Sequence, residues 1–139
     1  MRQKKTRFTF GLVTTLSLLA LLLSGCKSTE LRAMENSVSI IQLTKGREVL
    51  RSLREKDWGF TGPIYPQVII VYEPINNHTN KEVYDEIVAI LKKNNWEGSE
   101  PNMGHDYFEA FLHQGDYKIS AGVSIDSHKN QIIFITRIY

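Results

Sequence analysis

Alternation of apolar and polar side chains is most regular in the last quarter of the chain. Over 117–126 the odd positions Tyr117, Ile119, Ala121, Val123 and Ile125 are apolar, while Lys118, Ser120, Gly122, Ser124 and Asp126 between them are polar or small. A period of two with one apolar and one wet face predicts a strand in a sheet covered on one side. The flanking segments 107–113 and 131–139 alternate less strictly. In the first, Phe108, Ala110 and Leu112 oppose Tyr107, Glu109, Phe111 and His113; in the second, Ile132, Phe134 and Ile138 oppose Ile133, Ile135, Arg137 and Tyr139. The links Gln114-Gly115-Asp116 and Ser127-His128-Lys129-Asn130 are short enough for hairpins. Three antiparallel strands follow, with Phe108, Ala110, Leu112, Ile119, Val123 and Ile125 turned to the core.

A helical period governs 80–95, where Val83, Ile87, Ile90 and Leu91 form a stripe widened by Tyr84 and Val88. Thr79 or Asn80 caps its start, acids follow in the first turns, and Lys92 and Lys93 close it, which suits the helix dipole at both ends. The run 68–73 (VIIVYE) is apolar and β-branched, the pattern of a central strand covered on both faces, and Pro74 ends it. Two Gly and two Pro within 59–66 predict a loop. Residues 45–57 read as a helix capped by Thr44, with Val49, Leu50 and Leu53 on one face. The β-branched segment 37–43 reads as a strand or as the opening of that helix. Residues 97–106 are turn-rich, and 27–36 is a polar tether reaching at most about 35 Å. Glu48-Val49-Leu50-x-x-Leu53 with Trp58 recurs 38 residues later as Glu86-Ile87-Val88-x-x-Leu91 with Trp96, a weak repeat of two amphipathic helices. The expected fold is α+β: a mainly antiparallel sheet of four to five strands with two helices packed on one face.

At the N-terminus the pattern is of another kind. Residues 1–7 are cationic, and residues 8–23 (FTFGLVTTLSLLALLL) form an uncharged, Leu-rich run of 16, shorter than the roughly 20 that a membrane-crossing helix needs. Small residues follow, which completes the plan of a secretory signal. The run closes on Leu23-Ser24-Gly25-Cys26, which resembles the lipobox of bacterial lipoproteins. The resemblance covers the first 26 residues. It implies cleavage before Cys26, a diacylglyceryl thioether on its sulfur and a further acyl chain such as palmitate on the new N-terminus, several chains being what stable anchoring requires. Lys27 is not the Asp that resembles an inner-membrane retention signal. The expected location is thus the outer membrane in a Gram-negative host, and otherwise the outer leaflet of the cell membrane. The expected domains are a signal peptide at 1–25, a lipidated N-terminus and tether at 26–36, and one α+β domain at 37–139.

Composition adds two exclusions. The net charge is +2, yet four of the 17 basic residues (Arg2, Lys4, Lys5 and Arg7) fall in the signal, which has no acid. The remaining 13 bases face 15 acids, so the basic balance carries no argument for a nucleic-acid partner. Cys26 is the single Cys, so no intrachain disulfide and no thiolate metal site belong to the mature domain. Its 114 residues (139 less the 25 of the signal) suffice for one hydrophobic core.

Candidate chemistry is sparse. There is no G-x-S-x-G, Gly-rich phosphate loop or H-E-x-x-H, and no cofactor signature. The best polar constellation is His105, Asp106, Glu109 and His113, with Asp126 and His128 near across a hairpin. On a strand, however, Glu109 and His113 stand roughly 13 Å apart, too far to share a metal. Adjacent Asp85 and Glu86 lie at a helix start, where dipole and solvent account for them. The face opposite the core mixes aromatic and charged groups, the composition of partner-binding surfaces. Tyr107, Glu109, Phe111 and His113 are the candidate contact residues. The sequence thus points to a non-catalytic, protein-binding module anchored in the membrane through lipidated Cys26. Its partner would be another envelope or secreted protein, as for an accessory subunit or an immunity-type inhibitor of a secreted effector. The alternative is a small envelope hydrolase or metal-dependent enzyme using His105, Asp106 and His113.

Overall fold

The computed structural model of the chain describes residues 28–98 and 107–139. Cys26 and most of the predicted 97–106 loop, with His105 and Asp106, lie outside the described residues. The elements run α1 (Thr29–Val38), β1 (Gly46–Arg54), β2 (Asp57–Gly59), β3 (Gly62–Ile64), β4 (Gln67–Pro74), α2 (Asn80–Lys93), β5 (Glu97–Gly98), β6 (Tyr107–Gln114), β7 (Tyr117–Asp126) and β8 (Gln131–Ile138). Six strands form one antiparallel sheet in the order β1-β4-β8-β7-β6-β5, and β2 and β3 form a separate hairpin. The fold is α+β with a mainly antiparallel sheet, as expected, but the sheet is larger than the four to five strands predicted. Both helices lie on the same face, α1 against β4 and β8 and α2 against β7, β4 and β8.

Between the helices and the sheet sits a single core. Val68, Ile70 and Tyr72 of β4, Phe108 and Ala110 of β6, Ile119, Ala121 and Val123 of β7, and Ile132, Phe134 and Ile138 of β8 meet Leu31, Met34 and Val38 of α1 and Val83, Ile87 and Leu91 of α2. The alternation of the three C-terminal strands is realised with the predicted faces inward. α2 also forms as expected. Thr79 caps it, the Glu82 N–H donates to Thr79 Oγ1 (3.2 Å), and Glu82 Oε2 accepts the Thr79 N–H (2.8 Å), a reciprocal box that satisfies otherwise orphaned backbone donors.

The N-terminal half departs from expectation. The tether and the strand at 37–43 give way to α1, whose start is capped by Ser28 accepting from the Leu31 N–H (3.2 Å). Leu31, Met34 and Val38, spaced i, i+3 and i+7, bury one face of this helix. Residues 45–57 form β1 and the start of β2 instead of a helix. β1 pairs along β4 from Gly46 opposite Pro74 to Arg54 opposite Gln67, with a bulge between Glu48 and Leu50. The extra residue shifts the alternation by one, so apolar Val49, Leu50 and Leu53 acquire an i, i+1, i+4 spacing that imitates a helix face. With 45–57 extended, the repeat with α2 has no structural counterpart. β4 is an interior strand but is covered on one face, since Ile69 and Val71 are only partly buried. The 59–66 loop is largely the β2–β3 hairpin, in which Gly62 takes φ 129°, a conformation that glycine tolerates readily.

Candidate functional site

Cross-strand register decides which side chains share the face away from the helices, because residues directly opposite in a ladder point to the same side. One row across the sheet reads Leu50, Val71, Ile133, Ser124, Tyr107; the next reads Ser52, Ile69, Ile135, Gly122, Glu109; the third reads Arg54, Gln67, Arg137, Ser120, Phe111. The face therefore has an aliphatic half on β1, β4 and β8. A trough of small residues runs along β7, and β6 forms an aromatic wall. Leu50 and Tyr107 are exposed at 54% and 49%.

The trough is as narrow as its glycine allows. A Cβ on Gly122 would stand 3.1 Å from the Tyr107 hydroxyl and 3.4 Å from its ring, so Tyr107 leans over the strand where no side chain intervenes. Beneath it lies a hollow of about 90 Å³ lined by Tyr107, Glu109, Ser120, Gly122, Ser124, Ile135, Arg137 and Tyr139. This has room for about three waters at roughly 30 Å³ each and is well short of the roughly 300–1,000 Å³ of small-molecule pockets. Partial burial pushes the Tyr107 phenol up from its ordinary pKa, with Glu109 adding to this and Arg137 opposing it. At the other end of β6, the Lys118 ammonium sits 4.4 Å from the centroid of the Phe111 ring.

All four residues predicted on β6 share this face. The hollow unites Tyr107 and Glu109 with each other, whereas Phe111 lies under Lys118, and His113 is exposed opposite Lys118 near the strand end. Arg137, Tyr139, Ile135 and the small residues of β7 complete the surface. Alternation already set Ile133, Ile135, Arg137 and Tyr139 on one side of β8, and only the pairing of β8 with β7 brings them to β6. The loop residues do not fold over the face, since Trp58 is 78% exposed and Phe60 fully so. Only Tyr65 reaches its margin, with its ring centroid 5.3 Å from that of Tyr139.

Of the polar constellation considered for catalysis, the described members Glu109, His113, Asp126 and His128 are not gathered. His113 pairs with Lys118, while Asp126 lies eight residues further along β7, about 26 Å at the rise of a strand. His128 follows in the β7–β8 turn, where Asp126 Oδ1 accepts the His128 and Lys129 N–H groups at 3.1 and 3.2 Å. Among the described residues no group of three His, Cys, Asp or Glu is placed to hold a metal ion. Asp85 and Glu86 have separate partners: Asp85 pairs with Lys81 one turn away, and Glu86 receives Thr44 and Lys45 from the α1–β1 connection. No family model, curated protein or solved structure matches this chain.

Proposed function

We propose that the chain is a bacterial lipoprotein whose domain binds another envelope or secreted protein through the open face of its sheet and performs no chemistry of its own. Residues 1–25 direct export, and lipidated Cys26 holds the domain at a membrane surface. With Lys27 after the cysteine, that surface is the outer membrane of a Gram-negative cell or the outer leaflet of a single-membrane cell. The role is that of an accessory subunit or an immunity-type inhibitor.

The observation that carries this reading is the sheet face itself. Five strands at about 4.8 Å spacing and about eight residues at roughly 3.3 Å span an area near 600 Å². That is of the order each partner contributes to a stable interface, about 800 Å². Exposed Tyr107 and Tyr139 stand beside Glu109 and Arg137, and exposed Leu50 lies across the aliphatic half of the face on β1, aromatic and aliphatic groups bordered by charge. The 90 Å³ hollow suits a protruding side chain of a protein better than a small substrate.

Photo-crosslinking in producing cells tests the reading. A photoreactive residue in place of Tyr107 should yield one discrete adduct with an envelope or secreted protein. The same residue in place of exposed Lys93, on the helix side, should not, and Phe111→Asp should abolish the Tyr107 adduct. Identical adducts from both positions, or none from Tyr107, would overturn it.

A further inference from the structure

The helix that replaces the expected tether has a geometric consequence. Cys26 is three residues from Thr29, where α1 begins, and α1 is fastened to the core by Leu31, Met34 and Val38. Whatever its conformation, so short a link spans at most about 10 Å. A lipid on Cys26 would therefore hold one end of the domain against the headgroups instead of letting it swing on a leash.

Chain connectivity identifies that end, and two pairs of charges agree with it. A hydrogen bond from its own backbone N–H, chiefly, holds the Glu30 carboxyl below its ordinary pKa, and the Lys56 ammonium adds to the effect. One and a half turns on, Glu35 acts on the Arg51 guanidinium, whose principal partner is Glu48. Packed against β4 and β8 and joined to the start of β1 by only seven residues, 39–45, α1 thus runs opposite to β1, with its start toward the end of the sheet where Arg54 leaves it. At this same end the chain leaves the sheet after β1 and returns at Gln67 as β4, and between them projects the β2–β3 hairpin.

The hairpin carries what an aqueous surface does not favour. Trp58 pairs with Pro63 across the ladder and is 78% exposed; beyond the Gly59–Gly62 pair, Phe60 stands fully exposed in the two-residue turn. Large exposed aromatic groups on one short hairpin mark a contact with a protein or a membrane. Trp in particular favours the membrane interface, where its ring is buried and its N–H stays wet. Charge does not supply the attraction, since Arg54, Glu55, Lys56 and Asp57 alternate in sign and cancel.

We propose that the β2–β3 hairpin is a membrane-docking element: with Cys26 lipidated, Phe60 and Trp58 enter the headgroup region of the leaflet that holds the lipid. This rests on the lipoprotein reading given above. The domain then stands on two points, its strands run away from the surface, and its open sheet face looks sideways, accessible to a partner in the envelope.

The test uses protein purified from the membranes of producing cells and reconstituted into phosphatidylcholine vesicles, with plain or brominated acyl chains. Of the two tryptophans, Trp96 is 3% exposed in the core, so the difference between wild type and Trp58→Phe isolates Trp58. Trp58 emission should shift to shorter wavelength on reconstitution and lose about half its intensity or more in brominated vesicles, equally at low and high salt, as expected for apolar insertion without net charge. Trp96 should be unaffected, which also reports an intact fold. Trp58 emission unchanged by bromine would overturn the proposal, including the case in which the hairpin instead meets a protein. The intact mass of the same preparation separates the two readings. Protein with Cys26 lipidated but without quenching removes the docking and leaves the anchor, whereas an unmodified Cys26 removes both.

Discussion

Thr44 donates both its backbone N–H (2.9 Å) and its hydroxyl (2.6 Å) to one oxygen of the Glu86 carboxylate, whose other oxygen accepts the Lys45 N–H (3.0 Å). The contact spans 42 residues and clamps the connection between α1 and β1 onto the second turn of α2. Burial raises the Glu86 pKa, but the hydrogen bonds from Thr44 and Lys45 and the Lys45 charge together outweigh it, so the carboxyl titrates below its ordinary 4.5. The Thr44 side chain, which local pattern offers as a helix cap, is thus used over a long range.

Replacing Glu86 with Gln keeps the shape and removes the charge. Loss of charge-assisted hydrogen bonds should cost about 1 to 2 kcal/mol near neutral pH. Because the folded pKa is depressed, the contribution is present above about 4.5 and lost as pH falls through the lower folded value. The difference in urea midpoint between wild type and Glu86→Gln should accordingly shrink as the solution is acidified below this value. A gap independent of pH would mean that the carboxylate is not the group at work.

Alkaline sensitivity should come from Tyr72. Burial against the helices, with Glu48 adding and Arg51 opposing, pushes its phenol up to about 12 from 10.0. A raised folded pKa means that the stabilisation is complete below the unfolded value of 10 and disappears as pH climbs toward 12. Between pH ~9 and pH ~11.5 the wild type should lose about 2 kcal/mol more than Tyr72→Phe, which has no proton to release. Denaturant titrations of both proteins at the two pH values measure this difference, with all other groups common to the pair.

How far the chain could be read depended on whether each pattern was local. β7 and α2 follow a single period throughout and were legible, as was the common face of Tyr107, Glu109, Phe111 and His113 on β6. β1 was not, because the bulge at Val49 breaks its alternation and leaves the spacing of a helix. α1 was obscured by polar composition, although Ser28 as cap with Leu31, Met34 and Val38 behind it was a usable signal. The candidate site was half legible for another reason. Alternation states which residues share a side of one strand, but the approach of Arg137 and Tyr139 to Tyr107 and Glu109 needs the order β8-β7-β6, which no single strand contains.

Met34 separates a tether from a core helix. Its side chain is fully buried, so Met34→Ala should destabilise by about 2 to 5 kcal/mol, the range for large core residues cut to Ala. Exposed Arg32, two residues earlier on the same helix, should tolerate Ala within about 0.5 kcal/mol. Were this stretch only a leash to the lipid, the two substitutions would be equally silent in thermal and denaturant unfolding.

The tilted contact between Tyr65 and Tyr139, with centroids 5.3 Å apart and planes at 51°, joins the base of the β2–β3 hairpin to the end of β8. Such pairs contribute about 0.5 to 1.5 kcal/mol beyond area burial, and because both rings are half exposed the coupling here belongs near the lower bound. A double-mutant cycle with Tyr65→Ala and Tyr139→Ala should therefore return an interaction of about 0.5 kcal/mol. The backbone bond from Tyr139 N–H to the Lys118 carbonyl (2.9 Å) survives the change, so β8 should stay paired with β7. Amide exchange within Asp57–Gly59 and Gly62–Ile64 should accelerate in either single variant while that of β7 holds, since the ring contact steadies the hairpin against the sheet. Equal acceleration throughout the sheet would show instead that the pair supports the whole fold.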